Sequence, residues 1–210
     1  MIKDIDLIYF FVGRQPFFPT YHGCVEAAVG EVCIVMEFVG DRDTGETLPL
    51  GKVVFTGSPV LSPKDWISIV NDLVRAVKFA HDCGLLLNDL KEDNALLSRS
   101  ASGWRAVIID FGLVCQQTNP TVFAFSASVK TKYEREGLYE HVAPECALLD
   151  EGTSTASDVF QLGRLIRFIG ARSRDQNLFQ LGENCCHVTA MLRPTIPEIQ
   201  QELGRLAASH

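Results

Sequence analysis

The clearest hydrophobic pattern in this chain is a helical repeat that starts after residue 62. Ser62 and Pro63 are residue types that helices favour at the N-cap and in the first turn, and Asp65 stands three positions after the cap. Large apolar residues then recur at helical spacing, at Trp66, Ile69, Val70, Leu73, Val77 and Ala80. Gly84 is a typical C-terminal signal. We predict a long amphipathic helix here.

Two later stretches also carry helix signals. Residues 155–169 are apolar on most sides of a helical projection, which predicts a helix inside the core. Thr195 and Glu198 have the spacing of a capping box and predict the start of a last helix. Between Gly170 and Leu178 the chain is too short for another helix.

The remaining patterns predict strands and one long loop. Residues 24–39 alternate around a turn at Gly30, which is typical of a hairpin. Two short apolar strands, at residues 96–97 and 107–109, are joined by a polar turn over residues 98–103. Residues 40–61 are polar and rich in turn formers, so we expect a loop with one extended piece at residues 53–55.

Composition narrows the class of protein and of partner. A chain of 210 residues that is 47% apolar can bury the core of one domain. Its net charge of −7 argues against nucleic acids and anionic membranes as partners. No apolar run approaches the roughly 20 residues of a membrane span, and no signal peptide opens the sequence. We expect neither a nucleic acid nor a membrane as a partner.

The seven cysteines indicate the cellular compartment. They are odd in number, lack a C-x-x-C pair, and include the neighbours Cys185 and Cys186, which disfavours ordinary disulfides and zinc sites. Free thiols in a reducing environment are the simplest interpretation, so we expect a cytoplasmic protein.

Two acidic motifs indicate the chemistry. Asp89, Lys91 and Asn94 have the spacing D-x-K-x-x-N, and an apolar strand then ends in D-F-G at Asp110. Carboxylates and a carboxamide are hard oxygen ligands that suit magnesium, and a lysine beside them suits a phosphoryl group. The pattern therefore predicts a site for a metal-bound triphosphate.

These motifs resemble the catalytic and metal-binding loops of eukaryotic protein kinases. Further family motifs follow in the same order: A-P-E at residues 143–145, D-x-x-x-x-G from Asp158 to Gly163, and R-P-T at residues 193–195. Residues 33–39 resemble the strand and hinge between the two lobes of that fold. The resemblance implies an α+β protein kinase-like fold, with a mainly helical large lobe and a partial, β-rich small lobe.

The resemblance also implies a role for each site residue. Asp89 takes the catalytic base position, and Lys91 would steady the transferred phosphoryl group. Asn94 and Asp110 would hold Mg²⁺ against the phosphates of ATP. For the adenine, the resemblance implies a floor formed by Leu96 and an edge formed by backbone groups from Glu37 to Val39.

Other matched positions are supports of the fold. Glu145 and Arg193 resemble the buried ion pair of the family, and Asp158 would accept backbone N–H bonds from the catalytic loop. Asn88 stands where the family has an arginine that binds a phosphorylated activation segment, so we expect activity independent of such phosphorylation.

The family's glycine-rich loop and V-A-I-K lysine have no counterpart in these 210 residues. Asp6 stands near the position of the acidic residue of the family's helix C. We therefore expect residues 1–38 to be a remnant of the small lobe and residues 39–210 to be the large lobe.

Three functions stay open from the sequence. The first is ATP-dependent phosphoryl transfer to protein Ser/Thr hydroxyls, which Lys91 favours, although Leu138 replaces the threonine usual before A-P-E. The second is a pseudokinase or truncated lobe that acts as an interaction scaffold for a regulatory protein. The third is a small-molecule kinase of the aminoglycoside or choline type, against which A-P-E and Arg193 argue.

Overall fold

The computed structural model describes residues 15–26, 31–100 and 103–209. Asp6 and the turn predicted at Gly30 lie outside these residues. The predicted hairpin is confirmed by two antiparallel strands, β1 (Tyr21–Glu26) and β2 (Val32–Met36), with Tyr21 opposite Met36 and Glu26 opposite Val32.

The loop predicted over residues 40–61 is wrong in part, because a helix, α1 (Leu50–Thr56), lies within it. Leu50, Val53 and Val54 are buried, and their spacing of three and four positions is that of a helix face rather than of an extended piece. Gly57 caps the helix in a left-handed conformation, and Arg172 binds the last carbonyls, those of Val54 at 2.6 Å and of Phe55 at 2.9 Å.

The long predicted helix is confirmed as α2 (Pro63–Asp82), and all six of its predicted apolar positions are buried. Ser62 and Asp65 form the expected capping box. The helix leads into β3 (Leu85–Leu86), which begins just after Gly84 and pairs with β6 (Cys115–Gln116).

The next two strands are longer than predicted. β4 (Ala95–Ser100) pairs antiparallel with β5 (Gly103–Ile108), so most of the stretch predicted as a turn over residues 98–103 belongs to the strands. Polar residues such as Ser98 and Arg105 face each other here, and backbone pairing extends beyond the apolar positions on which the prediction depended.

Helices make up most of the rest of the chain: α3 (Ala127–Glu136), α4 (Pro144–Leu148), α5 (Thr155–Ser173), α6 (Gln176–Cys185), a 3₁₀ turn (Ala190–Leu192) and α7 (Ile196–Ser209). The predicted core helix is confirmed as α5, which is buried along most of its length. Only Arg174 and Asp175 separate α5 from α6, so no additional helix lies between Gly170 and Leu178, but α6 itself was not predicted.

The core joins α2, α5, α6 and α7 to the strands β4 and β5 in one hydrophobic cluster. The class is α+β, as predicted. No helix within the described residues is long and apolar enough to cross a membrane.

Candidate active site

The loop between β3 and β4, residues 87–94, carries three of the predicted site residues, and α5 supports its backbone. Asp158 of α5 is fully buried and accepts hydrogen bonds from the N–H groups of Leu87 and Asn88, each at 2.9 Å. Nε2 of His81, at the end of α2, lies 2.9 Å from the same carboxylate. The role predicted for Asp158 is therefore present in the geometry.

A second α5 side chain, Gln161, completes this support. Its Oε1 accepts the N–H of Leu90 at 2.7 Å, and its Nε2 donates to the carbonyl of Asn88 at 2.9 Å. Buried backbone groups need such partners because water is excluded. Asp158 and Gln161 together fix the path of the loop on both sides of Asp89.

Asp89 is the point on which the loop side chains converge. Nζ of Lys91 and Nδ2 of Asn94 both lie 2.7 Å from its Oδ2, and Asn94 also donates to its backbone carbonyl at 3.0 Å. From outside the loop, Nε2 of His141 lies 3.3 Å from its Oδ1. The Asp89 side chain is 10% exposed, so one edge stays open to a reactant.

These contacts keep Asp89 ionised. Partial burial alone would raise its pKa, but hydrogen bonds from His141 and Lys91, together with their charges, outweigh burial and lower the pKa to about 2. The carboxylate is therefore charged at neutral pH and can act as a hydrogen-bond acceptor for an incoming hydroxyl group.

The two predicted metal ligands, Asn94 and Asp110, lie on neighbouring backbones. The N–H of Ile109 donates to the carbonyl of Asn94 at 2.9 Å, so Asp110 follows directly from a residue bonded to Asn94. Asp110 is exposed and has a left-handed backbone with φ of 64°. One of its carboxylate oxygens accepts the N–H of Gly112 at 3.0 Å.

This donor set fits magnesium. Mg²⁺ is usually held by one or two protein oxygens together with substrate phosphates and water. The other oxygen of Asp110 makes no hydrogen bond to a residue that the structure describes, and the amide of Asn94 uses its nitrogen for Asp89. Both residues therefore keep an oxygen for a cation. Among the described residues, no group of three His, Cys, Asp or Glu side chains forms a cage for a metal.

Two of the predicted adenine residues pack together, and the side chain of the third, Glu37, binds other residues. Val39 and Leu96 are buried in one small cluster with Val107. Glu37 instead uses its carboxylate for Thr20, at 3.0 Å and 3.1 Å, and for Arg105, at 3.3 Å. Its N–H also donates to Thr20, so of the Glu37 backbone only the carbonyl could serve an adenine edge.

Asn88, at the arginine position of the family, is turned inwards. It is 1% exposed, and its Nδ2 donates to the carbonyl of Leu113 at 2.8 Å and to Sγ of Cys115 at 3.1 Å. Within the described part of the chain its Oδ1 has no hydrogen-bond partner. Asn88 thus binds the segment after Asp110 directly.

Comparison with known proteins decides the family. The family model for the protein kinase domain matches residues 18–169, which is most of the chain and includes the loop and Asp110. The chain belongs to the protein kinase family.

Curated relatives of this kinase domain are themselves named as kinases. A probable serine/threonine-protein kinase of Dictyostelium discoideum is 30% identical over 150 residues, which are 71% of this chain and 22% of that protein. The serine/threonine-protein kinase pkn2 of Myxococcus xanthus is 32% identical over 133 residues, or 63% of this chain and 14% of that protein. The human dual specificity testis-specific protein kinase 2 is 28% identical over 166 residues, which cover 67% of this chain and 28% of that protein. The chain thus spans less than a third of the length of each of these relatives.

The predicted ion pair of the kinase domain is present and buried. Both guanidinium nitrogens of Arg193 bind the carboxylate of Glu145, at 2.6 Å and 2.7 Å, and Nε binds the carbonyl of His187 at 2.8 Å. Arg193 also lies over the ring of Phe160 on α5, 5.0 Å from its centre. The start of α4 is therefore tied to the loop before α7 and to the core helix.

Sequence reasoning missed two residues of this site, His141 and Gln161. Gln161 lies three positions after Asp158 on one face of a buried helix, and a polar residue at that spacing was an available signal. His141 offered none, because a single histidine in an exposed stretch has no spacing that links it to Asp89.

Proposed function

We propose that this kinase domain transfers the γ-phosphoryl group of ATP to Ser or Thr hydroxyl groups of a protein. The observation that carries the proposal is the convergence of Lys91 and Asn94 on Asp89, in a loop whose backbone is held by α5. Phosphoryl transfer depends mostly on positioning and on fixed charges, and this arrangement supplies both. The names of the curated relatives support the Ser/Thr assignment.

Each side chain has a distinct part in the proposed reaction. Asp89 accepts the hydrogen bond, and then the proton, of the acceptor hydroxyl, while the ammonium group of Lys91 balances charge on the moving phosphoryl group. Asn94 and Asp110 would hold Mg²⁺. The bound ion would supply positive charge beside the phosphates.

The adenine end of the nucleotide is assigned to the cluster beside the hinge. Leu96 would form an apolar floor, and the carbonyl of Glu37 and the backbone of Val39 would bind the adenine edge. In this proposal, residues 1–38 belong to the small lobe and residues 39–210 form the large lobe, with the nucleotide between them.

Nucleotide binding tests the proposal before any substrate is known. Thermal unfolding of the purified chain is measured with ATP, with and without Mg²⁺. A ligand at one hundred times its dissociation constant adds about 2.7 kcal/mol of stability. We expect a magnesium-dependent increase in the unfolding temperature, which Asp110→Asn removes. In a second assay we expect phosphate transfer to a general protein acceptor, which Asp89→Asn abolishes. A lack of any shift at millimolar ATP would contradict the proposal.

A second candidate function is a scaffold of kinase fold that binds a protein without transferring phosphate. The hairpin favours it, because Val25 and Val35 on its strands are 54% and 40% exposed, and Phe38, two residues after β2, is 45% exposed. Exposed apolar side chains grouped on one small sheet often mark a contact surface. The two functions differ in the ATP experiment, since a scaffold needs no magnesium-dependent nucleotide binding.

A further inference from the structure

His141 makes a contact for which the catalytic motifs give no reason. Its Nε2 lies 3.3 Å from Oδ1 of Asp89. Lys91 and Asn94 both bind the other oxygen, Oδ2. The two oxygens of the carboxylate are therefore held from different parts of the chain: Oδ2 by the loop itself, and Oδ1 by the segment that precedes α4.

The backbone on both sides of His141 is anchored. Glu140 forms an ion pair with Arg164 of α5. Val142 is buried, its N–H donates to the carbonyl of Tyr139 at 2.8 Å, and its carbonyl accepts the hydroxyl of Tyr133 at 2.9 Å. These contacts fix the backbone at His141, and the contact of its Nε2 with Oδ1 places the imidazole beside Asp89.

Leu138 cannot supply this contact. It stands where Ser/Thr-type kinases usually carry a threonine, its side chain has no hydrogen-bond donor, and it is 37% exposed. Within the described part of the segment from α3 to α4, the side chain that reaches Asp89 is that of His141.

We propose that His141 is a positioning residue, which fixes the orientation of the Asp89 carboxylate. That orientation then depends on the docking of the segment before α4. This inference rests on the proposed function. A carboxylate oxygen has two lone pairs, so Oδ1 can bind His141 and still accept a hydrogen bond from the acceptor hydroxyl. Holding a reacting group in its productive orientation raises the rate of the chemical step without tightening ATP binding.

Two substitutions separate positioning from mere packing. His141→Gln keeps a side-chain N–H donor, whereas His141→Leu keeps bulk and removes the donor. With the 210-residue chain, Mg-ATP and dephosphorylated casein as acceptor, we expect His141→Leu to lower kcat on the order of 10²-fold with KM for ATP unchanged. His141→Gln should retain most of the activity. Equal losses for Gln and Leu would overturn the inference.

A measurement that needs no activity keeps the inference separate from the proposed function. Melting temperatures are compared for the wild type, His141→Leu, Asp89→Asn and the double variant. If the two side chains interact, the two losses do not add in the double variant. Additive losses would show that the two side chains do not interact, which would overturn the inference. Non-additive losses in a chain that transfers no phosphate would leave His141 as the residue that orients Asp89 while the proposed function fails.

Discussion

The loop of residues 87–94 carries the catalytic-loop motif of the family. This loop and the segment from Gln117 to Val142 meet at Asp89, yet they are held in different ways. Four of the eight residues 87–94 are buried, and two α5 side chains bind the backbone of this loop. In the segment, α3 has no buried residue, and single contacts such as Tyr133 with Val142 and Lys130 with Asp150 hold it. The comparison teaches that the carboxylate of Asp89 belongs to a scaffold built on α5, whereas its outer contact, His141, lies at the anchored end of a segment whose helix α3 is exposed.

The largest effect is expected where the end of the segment joins that scaffold. Arg193→Met leaves the carboxylate of Glu145 buried without its partner, so we expect a loss of about 3–5 kcal/mol in the free energy of unfolding, measured with urea. The double variant Glu145→Gln with Arg193→Met should recover part of the loss, because no buried charge remains unpaired. A loss below about 1 kcal/mol for Arg193→Met would show that the pair does not anchor α4.

The same substitution at two aspartates tests the contrast between the two regions directly. Asp158→Asn places an amide donor against the buried donors of Leu87, Asn88 and His81, so we expect a loss of about 1–3 kcal/mol. Asp150→Asn removes the ion pair with Lys130, in which the Asp150 side chain is 48% exposed, and should cost at most about 1 kcal/mol. Equal losses in urea unfolding would mean that the catalytic loop is no better supported than the segment.

Packing of the scaffold gives a third test. At Gly170 of α5, an added Cβ would overlap the backbone of Phe179 on α6, so Gly170→Ala should cost about 1–3 kcal/mol. Gly204 of α7 is the matched control, since nothing lies within 4 Å of a Cβ there. Gly204→Ala should stabilise the helix by about 0.5–1 kcal/mol. Calorimetry measures the stability of both variants. Stabilisation by Gly170→Ala would contradict the close contact of α5 and α6.

The ion contacts of Asp89 predict an acid-sensitive contribution to stability. Its folded pKa of about 2 lies below the value of 3.8 for a free side chain. The contribution is therefore complete above about pH 4 and is lost as the pH falls through about 2. We expect the difference in unfolding free energy between the wild type and Asp89→Asn to shrink by about 1 kcal/mol over this range, since the partly exposed Lys91 is screened by solvent. A difference that stays constant from pH 5 to pH 2 would show that these contacts do not lower the pKa of Asp89.

The sequence was most informative about contacts between residues that belong to motifs of the family. The contacts of Asp158 with the catalytic loop and the pairing of Glu145 with Arg193 both followed from motifs in order. The helix at Leu50 was mistaken for a loop, because its three buried apolar positions are too few for periodicity and its burial depends on α5 and β4. His141 was missed because its partner is set by the path of the chain between α3 and α4, which no local pattern contains.

The smallest effect is expected for negative charge on the exposed side of the segment. Ser126, Ser128 and Thr131 are exposed, while Asn88 is buried and bound to Leu113, so position 88 offers no cation to a phosphate. If the chain transfers phosphate as proposed, substitution of each by Asp should leave the transfer rate at the wild-type level. Asp110→Asn serves as the inactive reference in the same assay. A strong increase for any of the three would mean that another cation, such as Lys132 or Arg135, orders the segment. The support of His141 would then depend on phosphorylation rather than on the contacts of Glu140 and Val142 alone.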